Sequence, residues 1–342
     1  MFQVFIERHG GPEVLRYREQ PSAAVGDDSV SIAVNCAGVN FADVMARMGL
    51  YPDAPAPPLV PGYEVAGVVE DVGPRVDHLR RGDRVLALTR FGGYSTHVVV
   101  PAPYVFPISA RVTDIDAAAL PVNYLTASLA LYRLANLAAG ETVLIHGAGG
   151  GVGIAAMQLA KLRHATVVGT AGRDKHDRLR SLGADCLVDS RQRLDRVAAE
   201  IRQIVGRRGV DVVLDPVGGR SFRLSYQLLA PLGRLVIYGV SAIAPGERRS
   251  WWRAAGTLMR MRPFKPMSLM NRNKGVFGLN LAHLWDERDH LGRVMRELLA
   301  DLDAQRLRPV VAQTFELERA AAAHQFIQSR ANVGKVILTT AR

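Results

Sequence analysis

The sequence of 342 residues contains very little cysteine: Cys36 and Cys186 are the only two. They lie far apart, each inside a run that predicts a strand, so they provide no disulfide framework and fit a reducing compartment. We therefore expect a cytoplasmic protein. Two thiols also cannot build a four-cysteine structural zinc site.

Long apolar runs are absent as well. None approaches the roughly 18 residues that a membrane-spanning helix needs. The N-terminal segment, residues 1–8, carries a charge within its short apolar run, which predicts a strand and not a signal peptide. The length leaves room for two domains, each able to bury its own core.

Aromatic residues are scarce, at 6%, although the net charge is +11. A nucleic-acid-binding protein would combine a basic cluster with stacking aromatics, whereas the arginines here are scattered. We expect no nucleic-acid partner and attribute the charge in part to attraction for an anionic dinucleotide. Residues 247–274 are the exception, because two tryptophans and four methionines stand there among arginines and prolines. A mobile lid, a dimer contact and a membrane-surface patch are the three alternatives for this segment.

A glycine cluster is the most informative feature that is present. Residues 142–153, Thr-Val-Leu-Ile-His-Gly-Ala-Gly-Gly-Gly-Val-Gly, predict a strand that ends in a tight turn, and a helical pattern follows from Ile154 to Leu162. The glycines have the spacing GxxGxxG, on Gly147, Gly150 and Gly153. Such a turn presents backbone N–H groups at the positive end of a helix, where a pyrophosphate binds. The context on both sides predicts a dinucleotide site.

The pattern around this turn predicts an α/β fold. Predicted strands alternate with predicted helices through residues 165–239, which is typical of parallel βαβ units with ligand at the carboxyl ends of the strands. The first 120 or so residues instead show short β-rich runs with Gly and Pro between them, typical of a mostly antiparallel domain. The last predicted strand, Lys335–Thr340, has no local partner, so we expect the C-terminal part to return to the first domain. We expect the substrate in the cleft between domains.

The end of the second predicted strand indicates which cofactor binds. An NAD site usually places Asp or Glu there for the ribose 2′-OH. This chain has Thr170, Ala171 and Gly172, followed by Arg173 and Lys175. A hydroxyl, a small residue and two cations suit a 2′-phosphate, so the sequence favours NADPH. Asp174 is interpreted as a first-turn helix residue.

Several further motifs carry a resemblance that covers nearly the whole chain. Besides the glycine turn, they lie at residues 37–47, 49–52, 61–69, 82–85, 215–219, 273–280 and 333–338. With these motifs the sequence resembles the zinc-free quinone oxidoreductases of the medium-chain dehydrogenase/reductase superfamily, in particular the branch of the vesicle amine transport protein 1 type. The resemblance implies a Rossmann NADPH-binding domain at 124–264 inserted into a β-rich GroES-like substrate domain at 1–123 and 265–342.

The departures from the zinc-dependent members exclude a metal. Those members carry Cys where this chain has Asn40, and Gly-His-Glu where it has Gly62-Tyr63-Glu64. A catalytic zinc needs about three protein ligands, and that set is missing here. His146 ends an apolar strand and is interpreted as a core histidine. Ser190 stands where zinc-free members often carry Tyr, which leaves the 2′-phosphate to Arg173 and Lys175, with Arg191 as a further candidate.

The resemblance also implies the site residues. Asn40 and Tyr51 line the substrate side of the nicotinamide and can donate hydrogen bonds to a developing oxyanion, and Asp43 orients the first loop. The plainer alternatives are a turn residue for Asn40 and a packed aromatic for Tyr51. The expected cofactor-binding residues are Thr126, Gly147, Gly150, Gly151, Val152, Gly153, Thr170, Gly172, Arg173, Lys175, Gly239, Val240, Ser241, Phe277, Gly278 and Asn332.

The function expected from this set is metal-independent hydride transfer from NADPH to an electron-poor small molecule, a quinone or a conjugated enone. One alternative is an enoyl-thioester reductase, which a Lys or Asp proton donor in the cleft would favour. Another is a dinucleotide-binding protein with little turnover that interacts with lipid membranes. Family members are usually dimers, and residues 276–279 offer an edge strand for pairing between two copies.

Overall fold

The computed structural model describes residues 1–244, 246 and 250–340. The chain divides into two compact units. The first is built from both ends of the chain, residues 1–125 and 282–340 together with Gly246, and the second from residues 126–244 and 250–281. Residues 247–249, the start of the predicted basic and apolar segment, lie outside the described residues.

The first unit is dominated by a sheet of seven strands in the order β14-β15-β3-β4-β5-β7, with β6 also paired to β3. A separate hairpin, β1-β2, completes its strands. The strands are β1 (Phe2–Ile6), β2 (Leu15–Glu19), β3 (Ser29–Val39), β4 (Glu64–Val72), β5 (Arg84–Leu88), β6 (His97–Pro101), β7 (Val105–Pro107), β14 (Val311–Glu316) and β15 (Lys335–Thr339). The helices are α1 (Phe41–Met48), α2 (Asp114–Ala119), α10 (Arg288–Asp303) and α11 (Ala320–Gln328).

The C-terminal strand β15 lies inside this sheet, between β14 and β3. β15 pairs antiparallel with β3, where Leu338 lies opposite Ala37, and parallel with β14. The return of the chain end to the first β-rich part is therefore confirmed. β3 pairs with strands on both sides, and all of its apolar side chains are buried.

The second unit is a six-stranded parallel sheet in the order β10-β9-β8-β11-β12-β13. This is the strand order 3-2-1-4-5-6 of a doubly wound dinucleotide-binding fold, which confirms the predicted α/β class. The strands are β8 (Thr142–His146), β9 (Thr166–Ala171), β10 (Cys186–Asp189), β11 (Val210–Asp215), β12 (Leu229–Ile237) and β13 (Gly275–Gly278). The helices are α4 (Gly151–Leu162), α5 (His176–Ser181), α6 (Leu194–Val205), α7 (Arg220–Leu228), α8 (Trp251–Met259) and α9 (Pro266–Arg272).

The core of the second unit lies between the sheet and its covering helices. One cluster joins buried side chains of β8, β11 and β12, among them Leu144, Val213 and Leu235, to Val197 and Ile201 of α6. These strands are buried on both faces, which explains their continuous apolar runs. Among the described residues, no helix is both long and apolar enough to span a bilayer.

The sequence pattern over Ala117–Leu134 predicts one long helix, and the structure corrects this prediction. The structure has α2, then α3 (Pro121–Ser128), and a π-helical turn at Leu129–Leu134. Pro121 separates the first two pieces because proline has no N–H to donate and disfavours helical backbone in the residue before it. The chain passes from the first unit to the second within α3.

The position of β13 sets the second boundary between the units. β13 pairs with β12, where Phe277 lies opposite Val236, so residues 265–281 belong with the nucleotide-type sheet. The resemblance implied instead that residues 265–281 belong to the first domain, and that boundary is corrected here.

Candidate functional site

The glycine turn follows β8 and leads directly into α4. Gly147 has φ +66°, a left-handed conformation that favours glycine. A Cβ on Gly153 would lie 2.5 Å from the carbonyl oxygen of Gly147, so only glycine lets the helix approach the turn this closely. Gly150 is the N-cap residue and has no side chain with which to cap the helix. The N–H groups of Gly151, Val152 and Gly153 therefore begin a helix whose positive end suits a pyrophosphate.

Predicted cofactor residues that follow two other strands, β9 and β12, share the carboxyl edge of the same parallel sheet. Ala148 donates to the carbonyl of Thr170 at 3.0 Å, which ties the turn to the end of β9. Ser241 donates to the carbonyl of Pro216 at 2.8 Å, which ties the loop after β12 to the loop after β11. Gly239 and Val240 lie in that loop. The structure thus brings these residues together with the glycine turn.

Asp215 fixes the loop after β11. Its carboxylate accepts hydrogen bonds from the backbone N–H of Val217 at 2.8 Å and from the hydroxyls of Ser221 and Ser225 at 2.7 and 2.6 Å. Asp215 is fully buried. Three donors satisfy the charge and hold the edge of the sheet rigid.

His146 lies in the core of the second unit, as the apolar run around it predicted. Its Nδ1 is 3.1 Å from the hydroxyl of Thr170, whereas its Nε2 is buried without a hydrogen-bond partner. Burial lowers the pKa of this imidazole, against the opposing charge of Asp215. Among the described residues, no three His, Cys, Asp or Glu side chains are grouped as ligands for a metal ion.

The end of β9 carries the groups that choose between the two cofactors. Arg173, Asp174 and Lys175 form a short 3-10 helix, and Arg191 forms an ion pair with Asp174 at 2.8 Å. A Cβ on Gly172 would lie 2.6 Å from the Asp174 carboxylate and 2.8 Å from the Arg191 guanidinium. The one carboxylate of this group is therefore neutralised by an arginine, and Arg173 is exposed beside it. This surface carries net positive charge, which suits a phosphate.

The remaining predicted cofactor residues are spread over both units. Thr126 is buried in α3, and Phe277 and Gly278 lie at the carboxyl end of β13. Asn332 belongs to the first unit, where its side-chain amide donates to the carbonyl of Gly334 at 2.9 Å. Its local hydrogen bond shapes the turn into β15.

Asn40 and Asp43 form a capping box at the start of α1. The Asp43 carboxylate accepts hydrogen bonds from the backbone N–H groups of Asn40 at 2.7 Å and Gly62 at 2.9 Å, and from the Tyr94 hydroxyl at 3.2 Å. Burial raises the pKa of Asp43 to about 7, although these bonds and the charge of Lys335 act in the opposite direction. Asp43 is fully buried, so its geometry is that of a residue that orients the loop.

The side-chain amide of Asn40 is held from both ends. Its Nδ2 donates to Glu64 at 2.8 Å, and its Oδ1 accepts from the ammonium of Lys335 at 2.6 Å. Lys335 and Glu64 also form an ion pair, and Val122 donates its N–H to the second Glu64 oxygen at 2.7 Å. The amide therefore has one orientation, with one of its two N–H bonds committed to Glu64.

Tyr51 is part of an aromatic cluster with Tyr63 and Phe91. The rings of Tyr51 and Tyr63 meet edge to face at 6.3 Å between centroids, and those of Tyr63 and Phe91 lie 5.1 Å apart. Burial, reinforced by Asp53 and Asp43, raises the pKa of Tyr51 to about 12. Tyr63 has a raised pKa as well, and its buried hydroxyl has no hydrogen-bond partner. Both hydroxyls therefore stay protonated at neutral pH and can donate a hydrogen bond without carrying charge.

Sequence reasoning missed Lys335, Glu64 and Tyr63 as parts of this constellation. Glu64 and Lys335 lie within the motifs at residues 61–69 and 333–338. In each motif, a single charged residue within an apolar strand pattern could have indicated a buried ion pair. An isolated charge in a buried strand needs a partner of opposite sign. The sequence alone does not say which partner, because 295 positions separate Lys335 from Asn40.

Comparisons with known families agree with the architecture. The alcohol dehydrogenase GroES-like domain matches residues 26–110. The zinc-binding dehydrogenase domain matches residues 182–338.

Individual proteins match over almost the whole chain. The human synaptic vesicle membrane protein VAT-1 homolog is 37% identical over 96% of this chain and 84% of its own length. The Escherichia coli quinone oxidoreductase complexed with NADPH superposes with a TM-score of 0.86 at 28% identity, covering 99% of this chain and 100% of that one. The CurK enoyl reductase has the same TM-score and identity and covers 99% of both chains.

Proposed function

Since the chain belongs to the medium-chain dehydrogenase/reductase family and is an oxidoreductase of it, we propose that it transfers hydride from NADPH to a quinone or a conjugated enone without a metal ion. The observation that carries this proposal is the replacement of a metal-ligand set by neutral hydrogen-bond donors. Asn40 is held by Lys335 and Glu64, and Tyr63 presents a buried hydroxyl that has no hydrogen-bond partner.

The residues of the second unit fit a dinucleotide. The first turn of α4 would hold the pyrophosphate, and Arg173, Lys175 and Arg191 would hold the 2′-phosphate. When bound, NADPH supplies the hydride. The Escherichia coli quinone oxidoreductase, whose structure contains NADPH, supports the choice of cofactor.

The first unit supplies the acceptor side. Reduction of a quinone or an enone develops negative charge on a carbonyl oxygen, and donors placed there in advance stabilise it. The fixed Asn40 amide and the protonated hydroxyls of Tyr51 and Tyr63 are such donors. No metal ion is needed to polarise the carbonyl of the acceptor, because a conjugated acceptor is already electron-poor.

The direct test is NADPH oxidation, followed by loss of absorbance, with 1,4-benzoquinone and 9,10-phenanthrenequinone as acceptors. We expect turnover that EDTA leaves unchanged. Tight NADPH binding without turnover would instead support the dinucleotide-binding protein. Inhibition by EDTA, restored by zinc, would contradict the metal-free mechanism.

The enoyl-thioester alternative requires a lysine or aspartate that can give up a proton. Lys335 is the lysine beside Asn40, but it is only 3% exposed and is paired with Glu64. This burial favours quinones and small enones over acyl thioesters. A crotonyl thioester in the same assay distinguishes the two, and faster turnover of the thioester than of both quinones would reverse the preference.

A second role rests on an exposed surface formed by α8, α9 and the residues between them. Trp252 is 91% exposed, Met259 80% and Met270 66%. Residues 251–272, which form this surface, contain five Lys or Arg and no Asp or Glu. We propose that this surface contacts anionic membranes, since exposed apolar groups surrounded by cations suit a charged lipid interface. Co-sedimentation with phosphatidylserine vesicles should fall in a Trp251→Ser, Trp252→Ser variant, and equal sedimentation would contradict the contact.

We also propose a cytoplasmic homodimer. Within the described part of the chain, β13 has a neighbouring strand on one side only, so its other edge is available to a second copy. Cys36 and Cys186 are both free thiols, which fits a reducing cytoplasm. Analytical ultracentrifugation of the wild type and of a Val276→Pro variant tests the dimer; a monomeric wild type would contradict it.

A further inference from the structure

Five polar residues join α1 to α11 in the first unit, and we call them the α1–α11 seam. Asp43 and Arg47 lie on α1, His324 and Gln328 lie on α11, and the hydroxyl of Tyr94 contacts both Asp43 and His324. On each helix the two residues are four positions apart, which places them on one face. Arg47 donates to the side-chain oxygen of Gln328 at 2.7 Å. Apart from Gln328, the seam is fully buried, so its polar groups depend on one another and not on water.

The seam reaches the backbone of Asn40, the N-cap residue of α1. The Tyr94 hydroxyl donates to Oδ2 of Asp43 at 3.2 Å, and the same oxygen accepts the N–H of Asn40 at 2.7 Å. Nε2 of His324 lies 3.1 Å from the Tyr94 oxygen. Two side chains, those of Tyr94 and Asp43, therefore connect His324 on α11 to the Asn40 backbone.

The imidazole of His324 uses its one N–H for Tyr94. Burial, reinforced by the charge of Arg47, holds the pKa of His324 well below its ordinary value, so the ring is neutral at neutral pH. The single hydroxyl proton of Tyr94 is donated to Asp43, so Nε2 of His324 carries the ring proton and donates to the Tyr94 oxygen. Nδ1 is then the bare nitrogen, and among the described residues it has no hydrogen-bond partner.

Such a histidine contributes little to stability. Burial removes both ring nitrogens from water, and only Nε2 regains a hydrogen bond. A leucine would fill a similar volume and leave no polar atom without a partner. Replacing buried polar groups by apolar ones of similar shape is often neutral or stabilising. The imidazole of His324 is therefore better explained by the place that it gives to Tyr94.

Asn40 is held by the C-terminal part of the chain at two points. β15 follows α11 and supplies Lys335, whose ammonium donates to Oδ1 of Asn40 at 2.6 Å. The α1–α11 seam holds the backbone N–H of the same residue through Asp43. Lys335 thus fixes the direction of the Asn40 amide, and the seam fixes the backbone from which the amide extends.

We propose that Tyr94 and His324 are positioning residues for the reduction, because they set the place of the Asn40 amide that donates to the acceptor carbonyl; this inference rests on the proposed function. A donor stabilises a developing oxyanion only at hydrogen-bond distance, and a displacement of about 1 Å that starts far from the reacting atoms can cost about a hundredfold in rate. Both residues act through Asp43. Their loss lowers kcat and leaves NADPH binding unchanged, since the groups assigned to the phosphates of NADPH belong to the second unit.

Three variants test the α1–α11 seam. Tyr94→Phe removes only the hydroxyl, His324→Leu removes the hydrogen bond to Tyr94, and His324→Gln replaces the imidazole with an amide that can also donate to the Tyr94 oxygen. The matched control is Tyr104→Phe, because Tyr104 is another buried tyrosine of the first unit and its hydroxyl donates to the carbonyl of Trp285. Kinetics with NADPH and 1,4-benzoquinone give kcat and KM, and calorimetric titration gives the Kd of NADPH.

We expect kcat to fall by about tenfold to a hundredfold in Tyr94→Phe and His324→Leu, with KM and the Kd of NADPH within about twofold of the wild type. His324→Gln should recover most of the lost rate, and Tyr104→Phe should keep the kcat of the wild type. The urea midpoint of His324→Leu should be no lower than that of the wild type. A loss of kcat that comes with a lower midpoint in His324→Leu, and that His324→Gln does not recover, would show a purely structural role and overturn the proposal.

Hydrogen exchange of the NADPH-free protein tests the link to Asn40 without turnover. The amide protons of residues 40–48 should exchange about threefold to tenfold faster in His324→Leu than in the wild type or in Tyr104→Phe. Unchanged exchange would overturn the connection between His324 and Asn40. A wild type that reduces quinones at the same kcat as Tyr94→Phe and His324→Leu overturns the positioning role alone, whereas a wild type that reduces no acceptor overturns the proposed function as well.

Discussion

The ammonium of Lys335 donates a hydrogen bond to the side-chain carbonyl of Asn40 at 2.6 Å, and neither residue is more than 7% exposed. A buried cation polarises the amide that it contacts, so the N–H bonds of Asn40 become better donors. The same ammonium neutralises Glu64. One lysine on the last strand thus sets both the orientation and the donor strength of a candidate catalytic amide.

Lys335→Met should lower the free energy of unfolding by about 3–5 kcal/mol, because it leaves the carboxylate of Glu64 buried without its partner. Urea unfolding at pH 7 measures this loss. In the double variant Lys335→Met, Glu64→Gln, part of the stability should return, since no lone charge remains. A loss below about 1 kcal/mol in the single variant would contradict the buried pair.

Gly153→Ala should disrupt the glycine turn, because the added Cβ would lie 2.5 Å from a backbone oxygen that cannot move alone. We expect NADPH binding to weaken by about tenfold or more, equivalent to at least 1.4 kcal/mol, measured by calorimetric titration. Gly256→Ala is the matched control, since Gly256 lies in α8 with nothing within 4 Å of the new methyl group. That substitution should stabilise the helix by about 0.5–1 kcal/mol and leave binding unchanged. Equal NADPH affinities in the two variants would argue against the pyrophosphate site.

Arg173→Glu should weaken NADPH by about tenfold and NADH much less, because only NADPH carries the 2′-phosphate that this cation would contact. Fluorescence titration with both nucleotides gives the ratio. Arg178→Glu, an exposed arginine on α5, controls for the general change of charge. If both nucleotides lose affinity equally in Arg173→Glu, the assignment of the 2′-phosphate is incorrect.

Stability should depend on pH through Asp43, whose pKa is about 7 in the folded protein against 3.8 for the ordinary side chain. A raised pKa means that the folded state keeps a proton that the unfolded chain loses. Its stabilising contribution is therefore complete below pH 3.8 and is lost as the pH rises to 7.

Relative to Asp43→Asn, which does not titrate, the wild type should lose about 2–4 kcal/mol between pH 4 and 7.5, at 1.36 kcal/mol per pKa unit. Comparison with this variant also cancels the opposite contribution of His324, whose pKa burial lowers. The measurement is urea unfolding at a series of pH values. A constant difference between the two proteins would show that Asp43 keeps an ordinary pKa.

Much of the fold follows from local pattern. The sequence runs Cys186–Asp189 and Glu64–Val72 each predict a strand, and the observed strands β10 and β4 have these bounds. Both are short apolar runs bounded by turn residues, which is information that adjacent positions carry. The pattern over Trp285–Ala304 predicts a helix, but the observed helix α10 begins later, at Arg288, because Trp285 instead stacks on Tyr104, which is distant in the sequence.

The candidate site divides along the same line. The glycine turn and the end of β9 are each built from residues that are neighbours in the sequence, so residue spacing was enough to predict both. The partners of Asn40 come from β4 and β15, and the partner of Asp53 comes from residue 283. Only tertiary folding creates these contacts, and no periodicity in the sequence encodes them.

The three hydrogen bonds to Asp43 have a practical consequence for altering this protein. One carboxylate fastens the start of α1 to the Gly62 backbone, while residues 53–57 between these points are half-buried or exposed. A library of substitutions that aims at new acceptors can therefore randomise positions 54–57 and keep Asn40, Asp43 and Gly62 intact. The scaffold would tolerate such remodelling because its fastening lies outside the varied stretch.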